Sequence, residues 1–172
     1  STILAYDALI DMSKKVHNNV KQSQLSTDKC APFLWAKTDG DNYGAFSPLY
    51  VHMSDTGEVA RLLWEAWIPE SIQQMLTSMT GSGVASESLV IWMAMVHDIG
   101  KATPAFQYKV PVFAEHVKEQ GLDTLDDPKY VSHAFMGQVI LNDWLMSIGW
   151  EYGNTYATVV GGHHGAPPTI PE

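Results

Sequence analysis

Residues 92–107 read WMAMVHDIGKATPAFQ, and this stretch decides how the chain is understood. An apolar run from Ile91 to Val96 ends in His97 and Asp98, and Gly100 and Lys101 follow. The run is expected to be a buried helix that Gly100 stops. Burying an unpaired charge is costly, so a histidine and an aspartate at the end of a core helix need partners. Both are metal-binding side chains. Neighbouring helical residues diverge by about 100°, so one can bind one ion while the other reaches a second. Further ligands are therefore expected to converge on this point.

The 172 residues fit a single domain, 1–172, long enough to bury a substantial core. A hydrophobic share of 45% and a charged share of 17% are those of an ordinary globular chain. No apolar run approaches the ~20 residues that cross a bilayer. The N-terminus lacks a basic region before an apolar core, so no signal peptide is expected. Cys30 is the one cysteine, which excludes an internal disulfide and suits a cytoplasmic location. It is expected to be a packed side chain and not a reactive thiol. A net charge of −9 with ten Lys and Arg argues against a free-standing, tight, non-specific nucleic-acid binder. It leaves open chemistry on nucleic acid delivered by a partner. The run Ala166-Pro-Pro-Thr-Ile-Pro-Glu172 is expected to be a cut boundary and not a natural end.

Helical spacing predicts a first helix over 2–20, with His17 solvated at its polar end. Residues 38–44, TDGDNYG, are dense in turn formers and read as an exposed loop. Asp55 and Glu58 have capping-box-like spacing, so a helix is expected from there to Trp67, closed by Pro69. His52 would then lie just before it. The apolar set Val59, Leu62, Leu63, Ala66 and Trp67 is its expected buried face. A short helix follows over 70–79, and Ser86 is expected to cap the helix that carries His97 and Asp98. Thr103-Pro104 opens a helix through Tyr108. Another spans 110–120, with Val112, Phe113 and Val117 on one face, His116 solvated and Gly121 as its stop. Asp126-Asp127-Pro128-Lys129 reads as a turn. An amphipathic helix over 132–147 presents Phe135, Val139, Ile140, Leu141, Trp144 and Leu145, with His133 in its first turn. Gly149 to Gly153 is a break, and a short helix over 156–160 ends at Gly161-Gly162, before His163-His164. No run alternates convincingly, so the fold class is all-α.

His52, His97, Asp98, His133, His163 and His164 thus all stand at expected helix ends. Imidazole with carboxylate favours Mn, Fe, Co, Ni or Zn, whereas Mg prefers oxygen and retains water. A bridging Asp98 would hold two divalent ions side by side. Such pairs clamp the attacking and leaving oxygens of a phosphoester and acidify bound water.

The ordered pattern H…HD…H…HH resembles the HD superfamily of metal-dependent phosphohydrolases. More narrowly, HDIGKATPAFQ (97–107), SHAFMG (132–137) and GGHHG (161–165) are similar to the HD nuclease domain of the CRISPR-associated nuclease–helicase of type I interference. FLWAKT (33–38) and SPLYVHMSDTGEVARLLWEAWIPE (47–70) look most like its type I-E branch. The resemblance runs from roughly residue 25 to residue 168. It implies a helical HD-domain bundle with its metal site at converging helix ends. It also implies that His52 and His97 bind one metal, that Asp98 bridges, and that His133, His163 and His164 bind the second. Lys101 is expected near the scissile phosphate, where its charge would offset developing negative charge. A helix-terminal cation stabilising the dipole is its simpler alternative.

The implied activity is metal-dependent cleavage of single-stranded DNA by activated water. The implied partners are a helicase domain of the same parent protein and an RNA-guided CRISPR surveillance complex. The family also takes an aspartate from a helix beyond the double histidine. This sequence stops at Glu172, so the first metal site is expected to be incomplete and the fragment weakened. Asp143 is no substitute, because ten residues past His133 places it ~80° away around the helix. Two other readings compete: an HD phosphohydrolase acting on nucleotides or cyclic nucleotides, and a silent metal-binding module. Phe106, Tyr108 and Trp35 could stack on bases, but each is expected in the core.

Overall fold

The computed structural model describes residues 31–39, 44–121 and 131–168. The expected helix over 2–20, His17, Cys30, the turn at 126–129 and Glu172 lie outside them. Among the described residues the chain is helical, as the all-α reading expects, apart from one small antiparallel pair, β1 (Trp35–Thr38) and β2 (Phe46–Pro48). Strands of four and three residues are too short to show alternation in sequence. Their register slips between Trp35 and Lys37, which leaves Ala36 as an extra residue at a bulge.

The helices are α1 (Leu49–Ala66), α2 (Glu70–Thr80), α3 (Gly83–Val96), α4 (Pro104–Gln107), α5 (Pro111–Glu119), α6 (His133–Ser147) and α7 (Gly153–Gly161). A 3-10 turn, Ile99–Ala102, joins α3 to α4. No single described helix is long and apolar enough to cross a membrane. The chain forms two compact units, one holding Asp55–Ala94 and the other 31–54 with 95–168.

In the first unit, α1 does not start at Asp55. It begins six residues earlier, directly after Pro48, so His52 sits in its first turn. Glu58 caps nothing; its carboxylate accepts two hydrogen bonds from Arg61, at 3.0 and 2.6 Å. The expected buried face is also displaced. Val59, Leu62, Leu63, Ala66 and Trp67 are exposed, while Gly57, Ala60 and Trp64 are buried. A step of one residue turns the helix by about 100°, so the set read from the sequence lies on a neighbouring, exposed face. Pro69 ends this segment as expected and stands at the N-terminus of α2, and Gly81 closes α2 in the left-handed conformation (φ 81°). Ser86 does not cap α3. It is buried one turn inside, donating to Ser82 O at 3.0 Å, and Ser82 Oγ instead accepts from the Ala85 amide. The run Ile91–Val96 is half-buried where full burial was expected.

In the second unit, Trp35, Phe106, Val110 and Phe113 form a core against which Phe46 packs. The Trp35 and Phe106 rings lie 4.5 Å apart, so both belong to the core, as expected, and not to a surface platform. α5 buries Phe113, Ala114 and Val117, but Val112 faces outward, 100° away from Phe113. Gly121 follows α5 at φ 88°, and His116 is exposed as expected. α6 is capped by Ser132, whose hydroxyl accepts from the Ala134 amide. Its buried face is built of small residues, Ala134 and Gly137, with Gln138, Leu141 and Leu145; Trp144 is exposed. α7 starts at Gly153, three residues before the expected Tyr156. Gly153 lies against Leu145, where a Cβ would not fit.

Candidate metal centre

His97 and Asp98 follow α3 directly and lead into the 3-10 turn. Gly100 is not a left-handed helix stop, since its φ is not positive. Its lack of a side chain serves close approach instead. A Cβ there would collide with the His133 carbonyl and the Gly137 amide. This contact lays the turn against the first turns of α6 and brings Asp98 to His133. His163 and His164 arrive from the end of α7, and His52 from the first turn of α1. All six residues belong to the second compact unit.

Asp98 is 4% exposed, and its carboxylate lies between two sets of imidazoles. Its Oδ2 is 2.8 Å from His52 Nε2 and 3.1 Å from His97 Nε2. Its Oδ1 is 3.2 Å from His133 Nε2 and 3.6 Å from His163 Nε2. His133 Nε2 is in turn 3.3 Å from His163 Nε2 and 3.0 Å from His164 Nε2. Two groups could therefore each hold a metal ion: His52, His97 and Asp98, and His133, His163 and His164. Within each, the ligand atoms lie within 4.8 Å of one another. The donors are mostly imidazole nitrogens, which suit late divalent transition metals better than Mg. Asp143 and Glu151 are exposed and join neither group.

The electrostatics favour ligand-ready forms. Burial works against an ionised Asp98. Hydrogen bonds from His97 and Lys101, and the charges they carry, nevertheless hold its carboxyl well below the usual carboxylate range. Burial lowers His133 to about 4, opposed by the charge of Asp98, and it also lowers His163. These imidazoles stay neutral at physiological pH, which is the form that binds metal. His163 Nδ1 donates to Val160 O at 2.7 Å, which fixes its tautomer and turns Nε2 towards the centre.

Lys101 is only 9% exposed. Its ammonium contacts Asp98 Oδ2 at 2.8 Å and the Ala36 carbonyl of β1 at 3.3 Å. Gln107, which the sequence reading did not single out, is fully buried beneath it and bonded to Trp35 and to the Lys101 carbonyl. The only signal for it was its place as the last residue of HDIGKATPAFQ.

Comparison with known proteins gives a family match. Residues 35–172 match the family described as "Cas3, HD domain". The chain is 33% identical over 156 residues to "CRISPR-associated nuclease/helicase Cas3" of Streptococcus thermophilus, covering 78% of this chain and 16% of that protein. It is 29% identical over 153 residues to "CRISPR-associated endonuclease/helicase Cas3" of Thermus thermophilus, covering 86% of this chain and again 16% of the relative. The chain thus spans about a sixth of the length of these curated relatives. No solved structure matches it significantly.

Proposed function

This chain belongs to the HD-domain family of Cas3, and on that basis we propose that it is the metal-dependent nuclease part of a longer CRISPR-associated nuclease–helicase, hydrolysing phosphodiester bonds in single-stranded DNA. The observation that carries this reading is the Asp98 carboxylate, with one oxygen towards His52 and His97 and the other towards His133 and His163. His52, His97 and Asp98 would hold one divalent ion. His133, His163 and His164, with the second oxygen of Asp98, would hold another. Mn, Fe, Co, Ni or Zn fit such donors better than Mg. When bound, paired ions polarise the phosphoester and make water acidic enough to attack it.

The chain's own residues supply orientation and charge. Asp98 stays ionised between the two sets, the Val160 carbonyl aims His163, and Lys101 adds a fixed positive charge beside the carboxylate. The chemistry requires no serine or cysteine nucleophile. With a net charge of −9, the domain lacks the overall charge of a protein that captures DNA unaided. The strand is therefore presented by the helicase portion of the same parent protein, after an RNA-guided surveillance complex selects the target. The setting is cytoplasmic.

Degradation of circular single-stranded DNA tests this reading, with chelator, Mn, Co, Ni or Mg and Asp98→Ala as control. Loss of the circle with Mn, Co or Ni, blocked by chelator and abolished in Asp98→Ala, is expected. Intact circles with every metal, together with hydrolysis of nucleotides or cyclic nucleotides, would overturn it in favour of a small-molecule phosphohydrolase.

A further inference from the structure

Gln107 is the last residue of α4, is fully buried, and uses both ends of its amide. Oε1 accepts from the Trp35 amide at 3.0 Å, and Nε2 donates to the Trp35 carbonyl at 2.9 Å. The side chain thus pairs with Trp35 as a neighbouring strand would. Nε2 also donates to the Lys101 carbonyl at 2.7 Å, and Trp35 Nε1 donates back to the Gln107 carbonyl at 3.1 Å. Immediately after Trp35 the register slips, and the carbonyl of the bulged Ala36 receives the Lys101 ammonium. Gln107 therefore grips Lys101 twice, directly at its backbone and through β1 at its ammonium.

We infer that Gln107 is a positioning residue of the metal centre. Through Trp35 and Ala36 it fixes the Lys101 ammonium on Asp98 Oδ2, and so fixes how the carboxylate divides between the two histidine groups. The inference rests on the metal-centre reading above and deepens it. It also assigns Lys101 to orienting Asp98, in place of meeting a phosphate. A core position that served packing alone would gain nothing from an amide, since burying polar atoms costs free energy unless every one is paired. Here the pairing reaches the side chain that contacts the candidate ligand. Lys101 is the group one shell out from the candidate ligand, where partners commonly alter affinity by about ten- to a hundredfold, and Gln107 acts through it.

The test is Co(II) titration of the 172-residue chain, followed by visible absorption. Gln107→Met is made in the natural chain and in a Lys101→Met background, with folding confirmed by circular dichroism. Gln107→Met is expected to weaken Co(II) binding about tenfold when Lys101 is present, and by less than about twofold when it is not. Equal loss in both backgrounds would reduce Gln107 to a fold-supporting residue, and unchanged affinity in the first would remove the role altogether. Should Gln107→Met not fold, Trp35→Phe carries the test. It keeps an aromatic ring against Phe106 and Phe113 and removes the indole donor to Gln107 together with part of the ring system. A smaller loss, seen only where Lys101 is retained, is then expected, and no loss would overturn the inference. If the natural chain itself binds no Co(II), the metal-centre reading fails, and the positioning role falls with it.

Discussion

Asp98 can divide its oxygens between two histidine groups because Gly100 lets the turn behind it touch α6. In Gly100→Ala the new Cβ would strike backbone atoms of His133 and Gly137, which cannot swing aside as a flexible side chain can. Overpacking of this kind costs about 1–3 kcal/mol or more. For a chain this size Tm should fall by at least about 2–4 °C. An unchanged melting curve would contradict the close approach. The titration of His133 gives a second prediction, for chelator-treated chain. Burial lowers its folded pKa from 6.5 to about 4, so between those values the unfolded chain holds the extra proton. Stability should therefore fall as pH drops from about 6.5 towards 4. Asp98, also depressed, pulls in the same direction once the pH approaches its unfolded pKa. Urea denaturation across this range should show the loss, and a flat profile would contradict the burial of His133. All six candidate ligands were legible as residues, because His, Asp and their neighbouring glycines carry the pattern in one dimension. The duty of Gly100 was not: a stop and a close approach look alike until the facing helix is in place.

Among the elements, the breaks marked by proline and glycine were legible, whereas the caps read at Asp55 and Ser86 were not. Pro69 separates α1 from α2 and Gly121 follows α5, while Ser132, read as the first residue of its helix, is the cap of α6. Ser132→Ala should cost about 1 kcal/mol in thermal unfolding. No change would mean that the Ala134 amide finds another acceptor. The start of α1 was misread because Asp55 and Glu58 mimic a capping box, although Glu58 is engaged by Arg61. Its buried face was misread because Gly57, Ala60 and Trp64 sit inward, while Val59, Leu62, Leu63 and Trp67 sit outward. Trp67, 76% exposed, gives a clean check: Trp67→Ala should change stability by no more than about 0.5 kcal/mol. A loss several times larger would restore the face read from the sequence. The β1–β2 pair left no periodic trace, yet it supplies the carbonyl that holds Lys101. Short strands are specified by the partners they meet, here Gln107, more than by their own residues.

At the scale of the molecule, the second compact unit brings together residues from 52 to 164, through the start of α1, the turn after α3, and α6 and α7. Family membership agrees with the motif order. One carboxylate shared by two candidate ion sites is the centre of the proposed function. Its most direct test is anomalous diffraction from crystals soaked in Mn, recorded at the metal's absorption edge. Two peaks flanking Asp98 are predicted, one beside His52 and His97 and the other among His133, His163 and His164. A single peak bound away from Asp98, or no peak at either histidine group, would contradict it.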